Sequence, residues 1–95
     1  MSPEQSRAAR AWLGWSQSDL ADRAGVAKNT VQGFESGQRH LTRNNIAALR
    51  RAIETEGIRL LFDDDGSATG IVRQGAHIDP SPAANEASAK EPRSE

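Results

Sequence analysis

The side chains best suited to chemistry form a short polar series in the first half of the chain. Lys28, Asn29 and Gln32 recur at helical spacing, opposite the apolar pair Val31 and Phe34. An asparagine or glutamine amide can form two hydrogen bonds with adenine, and a lysine can reach the acceptors of guanine. The segment therefore predicts a helix face suited to base edges in the DNA major groove.

Other kinds of chemistry find little support. Since the chain has no cysteine, it has no disulfide and no thiolate metal site. Residues 33–37 are one position out of register for a nucleophile elbow, and no nucleophile with a base and an orienting acid is visible. The run 63–65 lacks the spacing of a calcium loop and predicts a turn. We expect no enzymatic activity, no metal and no cofactor.

Charge is distributed unevenly along the 95 residues. Residues 1–62 hold nine basic and six acidic side chains, a net charge of +3, whereas residues 63–95 carry a net −4. The basic front part indicates an anionic partner. No run approaches the ~18–20 apolar residues of a membrane span, and the N-terminus lacks the features of a signal peptide. We therefore expect a soluble cytoplasmic protein with no membrane partner.

Capping residues and single glycines predict four to five short helices. The expected N-caps are Ser2, Ser16 and Thr42, and the expected helix ends are Gly14, Gly25, Gly37 and Gly57. Within the second helix, Asp19 and Arg23 stand four residues apart and predict an ion pair.

The pattern changes to that of a strand after Gly57. Ile58, Leu60 and Phe62 alternate on one face, and residues 70–74 are expected to return as a second short strand. The polar, proline-containing segment 76–95 predicts a disordered tail. We therefore expect a helical domain over 1–57, a hairpin over 58–75 that mediates dimerisation, and the tail.

Two predicted helices meet at a tight bend between Ala24 and Lys28. Helices joined so closely must cross steeply, which requires a small residue such as Ala21 near the crossing. The bend itself requires a backbone tolerant of positive φ, which Gly25 provides. This is the arrangement of a helix-turn-helix, whose second helix enters the major groove.

At these residues the sequence resembles the Cro/CI-type (XRE-like, lambda-repressor-like) helix-turn-helix domains of phage and bacterial transcription regulators. The resemblance covers about residues 5–57 and is densest over 13–26. It continues through Thr30-Val31 and Phe34-Glu35-Ser36-Gly37. It implies a mainly α-helical, lambda-repressor-like bundle, followed here by the hairpin or strand. It also implies a protein that is encoded by a bacterium or phage and is associated with the nucleoid.

The resemblance also implies roles for individual residues. Base contacts are expected from Ala27, Lys28, Asn29, Gln32 and Gly33. Phosphate contacts are expected from Ser16, Gln17, Thr30, Ser36, Arg39 and Arg43. Arg10 and Glu35 are expected to form a structural ion pair. Two departures stand out, since Gly33 has no side chain at a base-reading position and Ala27 lacks the usual hydroxyl cap.

The sequence thus predicts a transcriptional regulator that binds double-stranded DNA, either as a repressor that covers a promoter or by presenting a surface to RNA polymerase. A homodimer formed through Ile58, Leu60 and Phe62 would set two recognition helices about one DNA turn apart, ~34 Å, on an inverted repeat. RNA polymerase is a further expected partner. Two alternatives remain open: an antitoxin that holds a toxin and represses its own operon, and a helical adaptor that binds another protein.

Overall fold

Four helices and a two-stranded antiparallel sheet make up the part of the chain, residues 1–74, that the computed structural model describes. They are α1 (Pro3–Leu13), α2 (Gln17–Ala24), α3 (Lys28–Glu35), α4 (Arg43–Glu54), β1 (Ile58–Phe62) and β2 (Ala68–Arg73). The predicted fold class, a mainly helical bundle followed by a short hairpin, is confirmed. The predicted tail over 76–95 lies outside the described residues.

Local capping chemistry explains where the helices begin and end. Ser2 and Ser16 each form a reciprocal capping box, with Gln5 and Asp19 respectively, and Thr42 accepts a hydrogen bond from the Asn45 backbone. At the other ends, Gly14 and Gly25 adopt the left-handed conformation that residues with a Cβ disfavour. α3 is the exception, since Ala27 provides no side-chain cap.

The core lies where the four helices and the hairpin converge. The four helices and β1 contribute buried apolar residues, and Ile71 of β2 packs against them partly buried. Ala21 is buried on α2, which packs against α3. The buried apolar residues are Ala9, Leu20, Ala21, Val31, Phe34, Leu49, Ile53, Ile58 and Leu60.

The hairpin packs onto the helical bundle. Ile58 and Leu60 of β1 belong to the core, and the amide of Gln5 on α1 donates hydrogen bonds to the carbonyls of Leu61, at 2.9 Å, and Gly70, at 3.0 Å. The sequence placed Ile58, Leu60 and Phe62 together on a dimerisation face. In the structure the first two are already buried within one chain, where α4 packs against β1, so of the three only Phe62 is exposed.

Phe62 departs from the strand alternation that the sequence predicted. It lies at the end of β1, beyond an irregularity in the strand pairing between Leu61 and Phe62. Its side chain is 38% exposed, and the Arg50 guanidinium lies 5.6 Å from the ring centre. Phe62 therefore contributes surface rather than core.

The predicted ion pair between Asp19 and Arg23 is wrong. Asp19 instead accepts the backbone N–H of Ser16, and Arg23 turns toward α4 and the loop before α2. The Arg23 guanidinium lies 4.4 Å from the centre of the Trp15 ring and 3.6 Å from a carboxylate oxygen of Glu56. Tertiary partners have displaced the local pair.

Over residues 1–74, none of the helices has the length and apolar character that crossing a membrane requires.

Candidate nucleic-acid interface

The bend between α2 and α3 fixes the angle at which α3 meets solvent. Gly25 ends α2 with φ of 72°, and the N–H of Val26 donates to the carbonyl of Ala21 at 3.0 Å. The carbonyl of Ala27 then accepts from the N–H groups of Thr30 and Val31, which begins α3. These bonds define the backbone of the bend, and α3 packs directly against α2.

α3 is buried on one side and open on the other. Val31, Phe34 and Glu35 are its buried residues. The structure brings the predicted base contacts together on the opposite side. Among them Ala27, Lys28, Asn29 and Gln32 are exposed, and Gly33 is half-buried. No acidic side chain stands in the first turn of α3, so this face carries positive charge and neutral hydrogen-bonding groups.

The predicted phosphate contacts fall into two groups. Ser16, Thr30, Gln17 and Ser36 carry neutral hydroxyl or amide groups that are partly engaged within the chain. The amide of Gln17 donates to Glu35 at 3.2 Å, and the Ser36 hydroxyl donates to the Gly33 carbonyl at 3.1 Å. Arg39 and Arg43 are exposed, and neither forms an ion pair within residues 1–74. Among the predicted phosphate contacts, these two arginines are therefore the residues whose positive charge is unpaired within residues 1–74.

A buried carboxylate holds α1, α2 and α3 together behind the exposed face. The structure brings the expected partners Arg10 and Glu35 within 2.7 Å, and Glu35 is only 2% exposed. Its carboxylate also accepts hydrogen bonds from the Ser6 hydroxyl, at 2.5 Å, and from the Gln17 amide. Arg7 donates to the Glu35 backbone carbonyl. Since every oxygen of Glu35 is occupied, its negative charge is neutralised inside the protein.

Ionisation of this group responds to opposing effects. Burial raises the pKa of the Glu35 carboxyl, but hydrogen bonds from Arg10, Ser6 and Gln17, together with the charge of Arg10, outweigh it and lower that pKa below 4.5. The hydrogen bond with Glu35 likewise raises the pKa of Arg10. Both partners are therefore charged at neutral pH.

Sequence reasoning missed two polar residues of α1 that take part in this arrangement, Ser6 and Arg7, and it missed the bonds of Gln5 to the hairpin. A usable signal was present, because Gln5 and Ser6 share the buried side of α1 with Ala9. A polar residue on a core-facing stripe requires a hydrogen-bond partner inside the protein. The sequence could not indicate which distant segment would supply that hydrogen-bond partner.

Residues 7–57, more than half of the chain, match the family model described as helix-turn-helix. The chain belongs to the Cro/CI-type helix-turn-helix family. The matched residues run from α1 past the end of α4, so the hairpin lies beyond the match.

A solved structure supports the same family. It is the restriction-modification controller protein C.AhdI from Aeromonas hydrophila, which is 35% identical over 55% of this chain and 79% of that chain, with a TM-score of 0.53. None of the curated proteins matches this chain. The helix-turn-helix family and this neighbour together establish a DNA-binding transcription regulator.

Proposed function

We propose that this helix-turn-helix protein recognises a specific double-stranded sequence by laying α3 in the major groove. The outward face of α3 carries the proposal, because it combines exposed Lys28, Asn29 and Gln32 with no acidic residue. Amides at this position can pair with adenine edges, and Lys28 can reach guanine acceptors. Ala27 lies at the exposed N-terminal end of α3, the end that helix-turn-helix domains present to bases.

Residues around α3 are proposed to fix the protein on the sugar-phosphate backbone. Arg43 stands in the first turn of α4 with its charge unpaired among the described residues. The start of α2 offers the backbone N–H of Gln17 together with a helix dipole that favours an anion, whereas the N–H of Ser16 already donates to Asp19. Contacts with phosphates position the protein without selecting a sequence.

A homodimer on an inverted repeat completes the proposal. A single α3 provides few base contacts, and non-specific affinity alone is only about 10⁻⁴–10⁻⁶ M. Of the large apolar side chains exposed within residues 1–74, Phe62 and Val72 both lie on the hairpin. We therefore propose that the hairpin contacts a second chain through the exposed side chains of Phe62 and Val72. Ile58 and Leu60 are buried within one chain.

Substitutions of Asn29 and of Arg43 distinguish a contact that recognises a base from one that holds a phosphate. Asn29→Ala is expected to cost about 1–3 kcal/mol on a duplex selected by the wild-type protein and little on random duplex. Arg43→Ala should weaken binding to both duplexes equally and reduce the salt dependence, because it removes one phosphate contact. Fluorescence anisotropy titrations at three salt concentrations measure both effects.

The same titrations can contradict the proposal in two ways. If the two variants behave alike across a panel of duplexes, α3 does not lie in the groove. If the wild-type protein binds no duplex even at low salt, the helical bundle is an adaptor for another protein. Circular dichroism of each variant provides the folding control.

The stoichiometry of the complex tests the dimer. Sedimentation velocity of the selected duplex, titrated with protein, is expected to end at two chains per duplex. The ~34 Å spacing of half-sites then requires the two halves of the selected sequence to lie about one helical turn apart. Phe62→Asp should weaken this assembly by placing a charge on the hairpin surface. Saturation at one chain per duplex would contradict the dimer while leaving DNA binding intact.

A further inference from the structure

Gly33 leaves a gap on the outward face of α3, and a residue from outside the helix fills it. A Cβ atom at position 33 would lie 3.1 Å from Cβ of Arg39 and 3.5 Å from both its Cδ and its Nε. The stem of Arg39 therefore runs along the surface of α3 where a side chain of residue 33 would otherwise stand. Arg39 borders the same shallow concave surface as Asn29 and Gln32.

The backbone around Arg39 is fixed to α3. The carbonyl of Gly33 accepts hydrogen bonds from the N–H of Gln38 at 3.0 Å, the N–H of Arg39 at 3.1 Å and the Ser36 hydroxyl at 3.1 Å. The turn that returns the chain is made at Gly37, whose φ of 79° suits glycine. Arg39 thus starts from a defined position relative to α3, which reduces the conformational entropy lost when its side chain binds.

We infer that Arg39 reads a guanine in the major groove, taking the place of the side chain that α3 lacks at position 33. This inference rests on the proposed binding of DNA by α3, and it replaces the expectation that Arg39 contacts a phosphate. A guanidinium presents a planar pair of donors that matches O6 and N7 of guanine. Within residues 1–74 no carboxylate pairs with Arg39, so the fork of donors is free to bind.

The two roles of Arg39 make different demands on its chemistry. A phosphate contact requires mainly a positive charge, which a lysine also supplies. Bidentate pairing with guanine also requires the planar fork, which a lysine lacks. Arg39→Lys therefore distinguishes the two roles, and Arg39→Ala removes both charge and fork. Arg51→Ala is the matched control, since Arg51 is an exposed arginine in the last turn of α4, outside both the α3 surface and the hairpin.

A selection of duplexes by the wild-type protein comes first, followed by titration of each variant on the selected site and on random duplex. Arg39→Lys and Arg39→Ala should both lose about tenfold or more on the selected site and little on random duplex. Replacing one G·C pair of the site should cost the wild-type protein a similar factor and cost Arg39→Ala nothing further. Arg51→Ala should retain the wild-type preference.

Gly33→Ala provides an independent arm that keeps Arg39 in the chain. Alanine is the better helix former, so α3 remains folded, but its methyl group would press on Cβ of Arg39 at 3.1 Å. Because Cβ of Arg39 must then shift by a few tenths of an ångström, the preference at the G·C pair that Arg39→Ala identifies should weaken. A thermal melt shows that the variant is folded.

Each remaining outcome overturns the inference in a recognisable way. If Arg39→Lys behaves as wild type while Arg39→Ala weakens selected and random duplexes equally, Arg39 contacts a phosphate and α3 still reads the site. If Gly33→Ala changes preference at a different base pair, Arg39 does not substitute for residue 33. If the wild-type protein shows no salt-sensitive binding to any duplex, the inference and the proposed function fail together.

Discussion

Glu35→Ala is expected to lower the free energy of unfolding by about 3–5 kcal/mol, the range for removing one partner of a buried ion pair. The carboxylate is 2% exposed and the Arg10 side chain 19% exposed, so the arginine is left largely desolvated without its counter-charge. The Ser6 hydroxyl and the Gln17 amide lose their acceptor as well. In a domain whose total stability is about 5–15 kcal/mol, this loss consumes a large fraction.

Urea denaturation followed by circular dichroism measures the effect, and the chain contains its own control. Glu54→Ala removes the acid of the exposed pair with Arg50, whose N–O distance is 3.0 Å. The two side chains of that pair are 39% and 42% exposed, and such pairs contribute only about 0–1 kcal/mol. Equal losses from Glu35→Ala and Glu54→Ala would show that burial gives the Glu35 pair no special importance.

The acid dependence of stability provides a second measurement on the same residue. Hydrogen bonds and the charge of Arg10 hold the pKa of Glu35 below the 4.5 it has when unfolded. The contribution is therefore complete above pH 4.5 and is lost as the pH falls through the folded-state pKa. Glu35→Gln cannot titrate, so its stability should fall less steeply than that of the wild type as the pH is lowered below 4.5. Parallel curves would contradict this assignment.

Helix boundaries could be predicted from the sequence because capping is local. Ser2 and Ser16 meet their partners three residues away, and Gly14 and Gly25 adopt positive φ within their own turns. The exposed side of α3 was predictable for a related reason, since Val31 and Phe34 define the buried stripe within one helix. Capping contacts, which here span three residues, are therefore determined by residue type and spacing.

Long-range contacts could not be predicted in the same way. The hydrogen bonds of Gln5 span 56 and 65 residues, and no local pattern indicates which carbonyls will meet its amide. Arg23 illustrates the competition, because Trp15 and Glu56 prevail over the nearby Asp19 once the chain is folded. The position of Arg39 beside Gly33 was equally unpredictable, because it depends on how the loop after α3 folds back.

The sequence predicted a helical domain up to Gly57 and a separate hairpin after it. Strand alternation alone could not show which hairpin residues are buried in the helical domain. Alternation treats Ile58 and Phe62 alike, because residues of equal parity share a face. In the structure Ile58 is 2% exposed and belongs to the same core as Leu49 and Ile53, whereas Phe62 is 38% exposed. The hairpin is therefore part of the helical domain's core on one side and part of its surface on the other.

Ile58→Ala and Phe62→Ala should accordingly give very different results in thermal and urea denaturation. Ile58→Ala leaves a cavity beside α4 and is expected to cost about 2–5 kcal/mol, independent of protein concentration. Phe62→Ala should cost a small amount at low concentration, since its side chain is already partly solvated. If Phe62 also contacts a second copy, its cost should grow with protein concentration, because assembly stabilises the folded state by mass action. A small, concentration-dependent loss for Ile58→Ala would instead return that residue to the dimer contact and make the hairpin an appendage of the bundle.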